Sequence, residues 1–292
     1  MIREETIMKD KSFFKTIVTT IPFAVSLLLP DDTHFIWRIL LLVIFLGLDY
    51  YINVSSNSTI IMERSQNKLA SQMLNAAKKI AEYRENDIKK SFAKVINGVG
   101  VYENLNYNPE KKLDFILEQL RTTFKNYIVI EDENISTTIF YHFGFQEERK
   151  WTRLGQNYFS AYEDDESVIF DSNSFGNHVL NNKKRFHFLN DKLQEGVKEG
   201  IYKLNDKDVV TEKECHKYGS IIGLRFCVKD ESKKKEDILV LLTISTYGKQ
   251  IDNVPFKAFR KRIEREIRKD ILPMFQKEIE SELMQLYLQE ME

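Results

Sequence analysis

The sequence predicts an α+β protein held to a membrane by a two-helix hairpin, and three features predict it. Two apolar runs, Phe13 to Pro30 and Phe35 to Ile52, stand near the N-terminus with only PDDTH between them. Between Asn97 and Ile251 helix-period and strand-period patterns mix and end in two long strand-like segments. Long segments with an apolar residue every third or fourth position flank that stretch on both sides. The chain of 292 residues thus divides into a transmembrane hairpin (residues 1–54), a helical stalk (55–97), a sensor-sized module (98–252) and a C-terminal helix (253–292).

Each apolar run approaches the roughly 20 residues that cross a hydrocarbon core at about 1.5 Å per residue. Lys9, Lys11 and Lys15 precede the first run as they would a signal peptide, but no small-residue cleavage site follows and the second run comes at once. A buried helical pair of a soluble domain is the alternative. Arg3, Lys9, Lys11 and Lys15 before the first run and Arg64, Lys68, Lys78 and Lys79 after the second contrast with the Asp31-Asp32 loop. The positive-inside rule then places both termini in the cytosol, at the plasma (inner) membrane. Trp37 at one end and Tyr50 and Tyr51 at the other suit the two interfaces. Pro22 removes one backbone bond from the first span. Arg38 and Asp49 lie inside the second run; they either snorkel to an interface or line a polar path through an oligomer.

From Thr59 to about Ile96 there is no Pro or Gly, and Met62, Leu69, Met73, Ala76, Ile80, Ile88, Phe92 and Val95 make one amphipathic stripe, with Ser58 as N-cap. That is a helix long enough to leave a membrane as a stalk. At the other end Pro255 opens a helix carrying Phe259, Ile263, Ile267, Ile271, Phe275, Ile279 and Leu283, with Pro273 expected to kink it. Its first half is basic (Lys257, Arg260, Lys261, Arg262, Arg265, Arg268, Lys269) and its tail acidic, which reads as a solvated face or as contact with headgroups or an acidic partner.

In the module, a helix from Pro109 to Lys125 precedes strands at Tyr127 to Ile130, Ser136 to Phe143 and Ser167 to Phe170. A short helix from Phe175 to Leu180, a strand from Arg185 to Phe188 and two long strands, Gly219 to Val228 and Ile238 to Thr246, follow. The last two are apolar on both faces, so the antiparallel sheet needs helices on both sides.

This order, with FGNHVLNNKKRFHFLND (Phe175 to Asp191) and SIIGLRFCVKDESKKKEDILVLLTIS (Ser220 to Ser245), resembles a GAF domain, the small-ligand sensor module related to PAS, over about half the chain. Asn182-Lys183 and Phe188 match the family's cyclic-nucleotide-binding subset, but Asp191 follows Phe188 after two residues instead of three, which argues against that subset's cyclic GMP or AMP site. The resemblance implies a pocket between sheet and covering segments. Alternation puts Arg225 on one strand face with Ile221, Gly223 and Cys227, where it pairs with a core carboxylate or holds an anion. Arg185, His178 and Lys183 are placed to join it, with Phe188 and Tyr141 to stack on a base, a set suited to a planar, phosphate-bearing ligand.

Net charge is −1, so no whole-protein field attracts nucleic acid. Cys215 and Cys227 read as reduced thiols. Phosphate-loop, dinucleotide-binding and HExxH signatures are absent, and Cys215-His216 lacks two further ligands at zinc spacing. The expectation is a non-enzyme without metal or cofactor: a ligand-gated membrane effector. Its layout resembles two-span membrane effectors of bacterial nucleotide-signalling antiphage systems. Two spans cannot enclose a water path, so a homo-oligomer, a tetramer or larger, is implied. The expected ligand is a nucleotide or short oligonucleotide, made by a partner nucleotidyltransferase. A membrane-anchored scaffold recruiting a cytosolic partner is the alternative.

Overall fold

A computed structural model describes residues 68–90, 108–147, 150–156, 158–215, 218–228, 237–251 and 263–291. The chain separates into two compact units, Met1–Lys68 and Leu69–Glu292. The expected hairpin, with Arg38 and Asp49, lies outside the described residues, as does the basic segment before Ile263. Among the described residues no helix is long and apolar enough to cross a membrane.

The second unit is α+β, built on a five-stranded antiparallel sheet in the order β2-β1-β5-β4-β3. The strands are β1 (Ile135–Phe143), β2 (Thr152–Gln156), β3 (Phe186–Leu189), β4 (Ile221–Val228) and β5 (Ile238–Thr246). Residue pairing fixes which side chains share a face: Ile139 opposes Leu242, Leu242 opposes Leu224, and Leu224 opposes Phe186. All four join one core with Tyr141, Phe143, Ile222, Phe226, Val240 and Ile244, or pack against its edge. On the other face Phe140, Leu241, Ile221 and Leu189 form a second core. Because β5 is apolar at every position but Thr243, Ser245 and Thr246, neither face can be left to water.

Helix α1 (residues 68–90), helix α2 (Pro109–Ile128) and the C-terminal helix cover the first, or helix, face. Asn108 caps α2 by accepting from Lys111 N–H at 3.0 Å, and Pro109 starts it where no donor is needed. Leu113, Ile116, Leu117, Leu120 and Phe124 turn one stripe onto the sheet. The expected strand at Tyr127 to Ile130 is instead the last turn of this helix and its exit. Ile128 extends the buried stripe, the Tyr127 hydroxyl reaches Glu266, and Val129 ends the helix in the left-handed region at φ 53°. Packing outweighs the β-propensity of these four residues.

The α1 segment is not a free stalk. Leu69, Ala76 and Ile80 are buried in the helix-face core, Tyr83 stacks on Phe115 with centroids 4.6 Å apart, and Arg84 meets Glu278 at 2.6 Å and Glu282 at 3.0 Å. The second unit, Leu69–Glu292, thus includes α1. The C-terminal helix, α6 (Leu272–Met291), buries Leu272, Phe275, Ile279, Leu283 and Leu286. A widened π-turn, Ile267–Ile271, precedes it, so the irregularity expected at Pro273 falls in the turn just before that residue.

Three shorter helices lie on the other side: α3 (Asp165–Phe170), α4 (Phe175–Asn181) and α5 (Asp206–Cys215). The strand expected at Ser167 to Phe170 is helix α3, because Asp164 accepts from the Ser167 N–H and starts a turn that Val168 and Ile169 then follow. Strand β2 went unread: TRLGQ has no apolar alternation and sits at a sheet edge, where Gly155 takes φ +141° against Thr137. Helix α4 presses on the sheet at Gly223, where an added Cβ would stand 2.6 Å from Val179 and 2.8 Å from Phe175. Gly223→Ala is expected to push α4 off the sheet and lower stability by about 1–3 kcal/mol in urea unfolding of the purified chain.

Candidate functional site

The sheet separates the residues that sequence reasoning grouped as a ligand site. Arg225 points to the pocket face, and its guanidinium donates to the Leu180 carbonyl at the end of α4; among the described residues it pairs with no carboxylate. Arg185 lies beside it, its carbonyl accepting from Arg225 N–H at 2.7 Å, with its side chain in water. His178 meets His187 edge to face at 4.8 Å, and Lys183 is exposed in the turn before β3. These four make a basic surface around the end of α4. Phe188 and Tyr141 face the opposite side: Phe188 packs on the helix-face core, and Tyr141 is buried within it. A base cannot stack on either while touching Arg225. Even residue numbers on β3 and odd ones on β1 point to the helix face, a consequence of register. Asp191 caps the π-turn Lys192–Val197, accepting from the N–H groups of Leu193 and Gln194 at 3.0 Å each.

A cleft does open on the pocket face, at the other end of β4 and β5. It measures about 70 Å³ and is lined by seven aromatic side chains: Phe140, Tyr158, Phe159, Tyr162, Phe175, Tyr202 and Tyr247. Ser136, Thr243 and Ser245 form its floor, Ser174 and Gly176 of α4 one wall, and Lys203 and Asn205 another. The Asn205 amide donates to the Phe159 carbonyl at 3.1 Å and so joins the two loops over the cleft. Most polar groups here are already paired, Ser245 with the Tyr247 phenol, but the Tyr162 hydroxyl is buried with no hydrogen-bond partner among the described residues. Ser245 stands beside the Tyr247 phenol, and Ser245, Ser136 and Asn205 all favour its ionised form. An unmet buried hydroxyl such as that of Tyr162 costs about 1–3 kcal/mol, which a ligand or ordered water would recover. Cations sit on the rings: Arg153 at 4.5 Å from the Tyr158 centroid, Lys203 at 5.0 Å from Tyr162 and Lys207 at 5.8 Å from Phe159.

Behind the wall lies a fully buried ion pair. Lys192 Nζ is 2.6 Å from Asp208 Oδ1, and both side chains are wholly removed from water. The other carboxylate oxygen accepts from the Tyr202 hydroxyl at 2.7 Å and from Asn205 N–H at 3.2 Å. Asn205 Oδ1 accepts in turn from Asp208 N–H at 2.9 Å, a reciprocal cap at the start of α5. The ammonium also lies 3.9 Å from the Tyr247 ring and 5.4 Å from that of Tyr202. Burial draws the Lys192 ammonium down to about 8 against the pull of Asp208. Burial, aided by the Asp208 carboxylate, drives the Tyr202 phenol well up, and burial takes Tyr247 and Tyr162 to about 12.

The cleft residues went unnamed at the sequence level, although Asn205 and Asp208 carry the spacing of a reciprocal cap and YFSAY (Tyr158 to Tyr162) clusters aromatics. Nothing local marks Lys192, whose partner is sixteen residues away. Both cysteines are free thiols, and among the described residues no group of three or more metal-ligating side chains occurs. The arrangement suits reversible binding of a small planar molecule: rings to stack on, a hydroxyl to donate, and a lysine in the lining. No family model, no curated protein and no solved structure matches the chain.

Lys192→Met leaves the Asp208 carboxylate buried and unpaired, and is expected to cost about 3–5 kcal/mol in urea unfolding. Adding Asp208→Leu should cost less than the sum of the two single changes. A second expectation concerns alkali. Tyrosines whose folded value is raised stabilise the fold fully below the unfolded value near 10, and that contribution is lost as pH rises towards about 12. Lys192 acts in the opposite sense, its penalty being relieved between about 8 and 10.5. The urea midpoint should therefore fall above pH 10, less steeply in Tyr247→Phe, with phenolate absorbance appearing together with unfolding.

Proposed function

We propose that this chain is a membrane-anchored sensor and effector: the α+β unit takes a nucleotide-type ligand in the aromatic cleft and alters the packing of the two apolar N-terminal runs. The observation that carries it is the unmet Tyr162 hydroxyl inside a cleft walled by aromatic rings, with Lys203 in its lining and Lys207 against the ring of Phe159. The antiparallel sheet with helices on both faces and a cleft under one of them supports the GAF resemblance. At about 70 Å³ the cleft is below the roughly 300 Å³ or more of a pocket that encloses a whole drug-sized ligand. A base would enter, and the phosphates would stay outside it against Lys203 and Lys207. The basic surface around Arg225, Arg185, His178 and Lys183 has a separate role in this reading: Arg225 holds α4, and α4 holds the cleft wall.

The signal has a short way to travel. Strands β1 and β5 carry cleft residues (Ser136, Phe140, Ser245) alternating with helix-face residues (Ile135, Ile139, Ile244), against which α1, α2 and α6 pack. A change in the cleft that shifts these strands displaces α1, and α1 leads back to the apolar runs. The chain acts as an oligomeric pore or membrane-disrupting protein, with no catalytic step. The scaffold alternative draws on the C-terminal helix, where Met284, Leu288 and Met291 stand exposed along one side and suit a partner protein.

Native mass spectrometry of the full chain, gently extracted from cells, should show a bound mass of nucleotide size. Tyr162→Phe should weaken that binding about tenfold, equivalent to about 1.4 kcal/mol for the lost bond. In liposomes the wild type should change ion permeability when the recovered ligand is added. A wild type that carries no such mass and never permeabilises a membrane would favour the scaffold.

A further inference from the structure

Around the end of α4 the sheet sets like charge against like charge. One step beyond the Phe186–Leu224 pair, Arg225 N–H donates to the Arg185 carbonyl at 2.7 Å, so two arginines stand directly opposite each other on neighbouring strands. Residues opposed in that way share one side of the sheet, and two cations there repel. Two positions along, His187 lies across from Gly223, where the missing side chain lets α4 down onto the sheet, and His178 of α4 meets His187 edge to face at 4.8 Å. Lys183 and Lys184 stand exposed in the turn that leads to Arg185. His187 Nε2 meets the Lys184 carbonyl at 3.2 Å, which ties that turn to the imidazole.

Among the described residues no carboxylate pairs with Arg185, Arg225, His178, His187 or the two lysines. The ion pairs lie elsewhere, on α1, α2 and α6, between Arg153 and Asp165, and between Lys192 and Asp208. Asp191, the nearest carboxylate along the chain from His187, is taken up by the N–H groups of Leu193 and Gln194 and by the Gln250 amide. Arg225 is half-buried and directs a guanidinium N–H to the Leu180 carbonyl, a neutral acceptor that leaves its charge uncompensated. Burial, with His178 alongside, holds the His187 imidazole below the usual histidine range. A surface basic only by composition carries its charges on separate, solvated side chains. Here strand register, a glycine contact and a ring contact bring them to one spot.

We propose that this cluster binds a phosphate group, carried by a soluble phosphate ester or by a phospholipid headgroup, with Arg185 and Arg225 sharing its oxygens and His178 and His187 meeting it from α4 and β3. A phosphate has the charge and the number of oxygens to engage two guanidinium forks at once, which one carboxylate does not. Its binding would turn the repulsion across the strands into a bridge and, through Arg225 and the Leu180 carbonyl, secure the end of α4. The site stands apart from the aromatic cleft, which opens at the other end of β4 and β5, and neither requires the other.

The test is protection of histidines from diethyl pyrocarbonate, which attacks neutral imidazole, in the full chain held in phosphatidylcholine nanodiscs and read by peptide mass mapping. Pyrophosphate near saturation should slow modification of His178 and His187 about tenfold by covering them, and leave His142 on β1 unchanged. Arg185→Gln combined with Lys183→Gln removes two exposed cations, so the urea midpoint should stay where it is while the protection is lost. Lys79→Gln, an equal loss of charge on α1, should keep it. Nanodiscs that include phosphatidic acid, without pyrophosphate, assign the source: protection there makes the group a lipid headgroup, and its absence there, with protection by pyrophosphate, makes it a soluble ester. No protection by either probe, equal slowing at His142, or a double variant protected as well as the wild type would overturn the site. No base-bearing ligand enters the experiment, so its failure is separable from failure of the cleft as a sensor.

Discussion

A lysine ammonium and an aspartate carboxylate, both shut off from water, hold the pocket side of this fold together. Removing two such charges from solvent costs several kcal/mol each, and Coulomb attraction alone seldom offsets it. Here the remaining valences are filled: the second oxygen of Asp208 takes the Tyr202 hydroxyl and the Asn205 amide, and the rings of Tyr247 and Tyr202 face the Lys192 ammonium. Four segments meet at this point. The π-turn brings Lys192, the loop brings Tyr202 and Asn205, helix α5 brings Asp208, and the end of β5 leads into Tyr247. None of the three covering segments has an extensive apolar face of its own; α5 leaves Val209 and Val210 41% and 49% exposed. The ion pair does for them what the apolar stripe does for α2.

The two faces of the sheet are consequently stabilised by different physics. The helix face is a dry core in which Leu113, Leu117, Phe124, Val240, Phe275 and Leu283 are wholly buried, and close packing of that kind tolerates little displacement. The pocket face has a smaller apolar core around Phe140, Val179 and Leu241 and, beside it, a polar region of hydroxyls, rings and paired charges. Hydrogen-bonded networks with unmet members are the places where water or a ligand can enter without breaking a packed core. A rigid face is thus backed onto an adaptable one, as the proposed sensing would need, and β1 and β5 belong to both.

Small residues place the boundary between these regions. At Gly223 the absence of a side chain lets Phe175 and Val179 descend onto the sheet, and at Gly176 the backbone of α4 comes close to Val168 and Leu241. Helix α4 thus lies low enough to close one side of the cleft, and the Arg225 guanidinium fastens its last turn, where cations suit unfilled carbonyls. Arg225, marked in the sequence as a ligand contact, reaches the Leu180 carbonyl at that wall.

The sequence by itself determined the elements whose periodicity matches their burial. Helix α2, with Asn108 and Pro109 ahead of a clean stripe, and strands β1, β4 and β5, rich in β-branched and aromatic residues, were legible because local propensity and tertiary environment agree there. The α+β class followed from them, as did the need for cover on both faces. What it misassigned are places where a cap or a long-range contact overrides propensity. Asp164 turns Val168 and Ile169 into helix, α2 absorbs Tyr127 and Ile128, and the polar TRLGQ becomes an edge strand only because β1 offers a partner. The site was the least legible part. Register, not composition, put Tyr141 and Phe188 on the far side of the sheet from Arg225. The cleft's governing pair, Lys192 and Asp208, looks in sequence like two of 87 charged residues on a solvated surface. Only the folding of three segments over one end of the sheet excludes water from both and gives their charges a fixed distance.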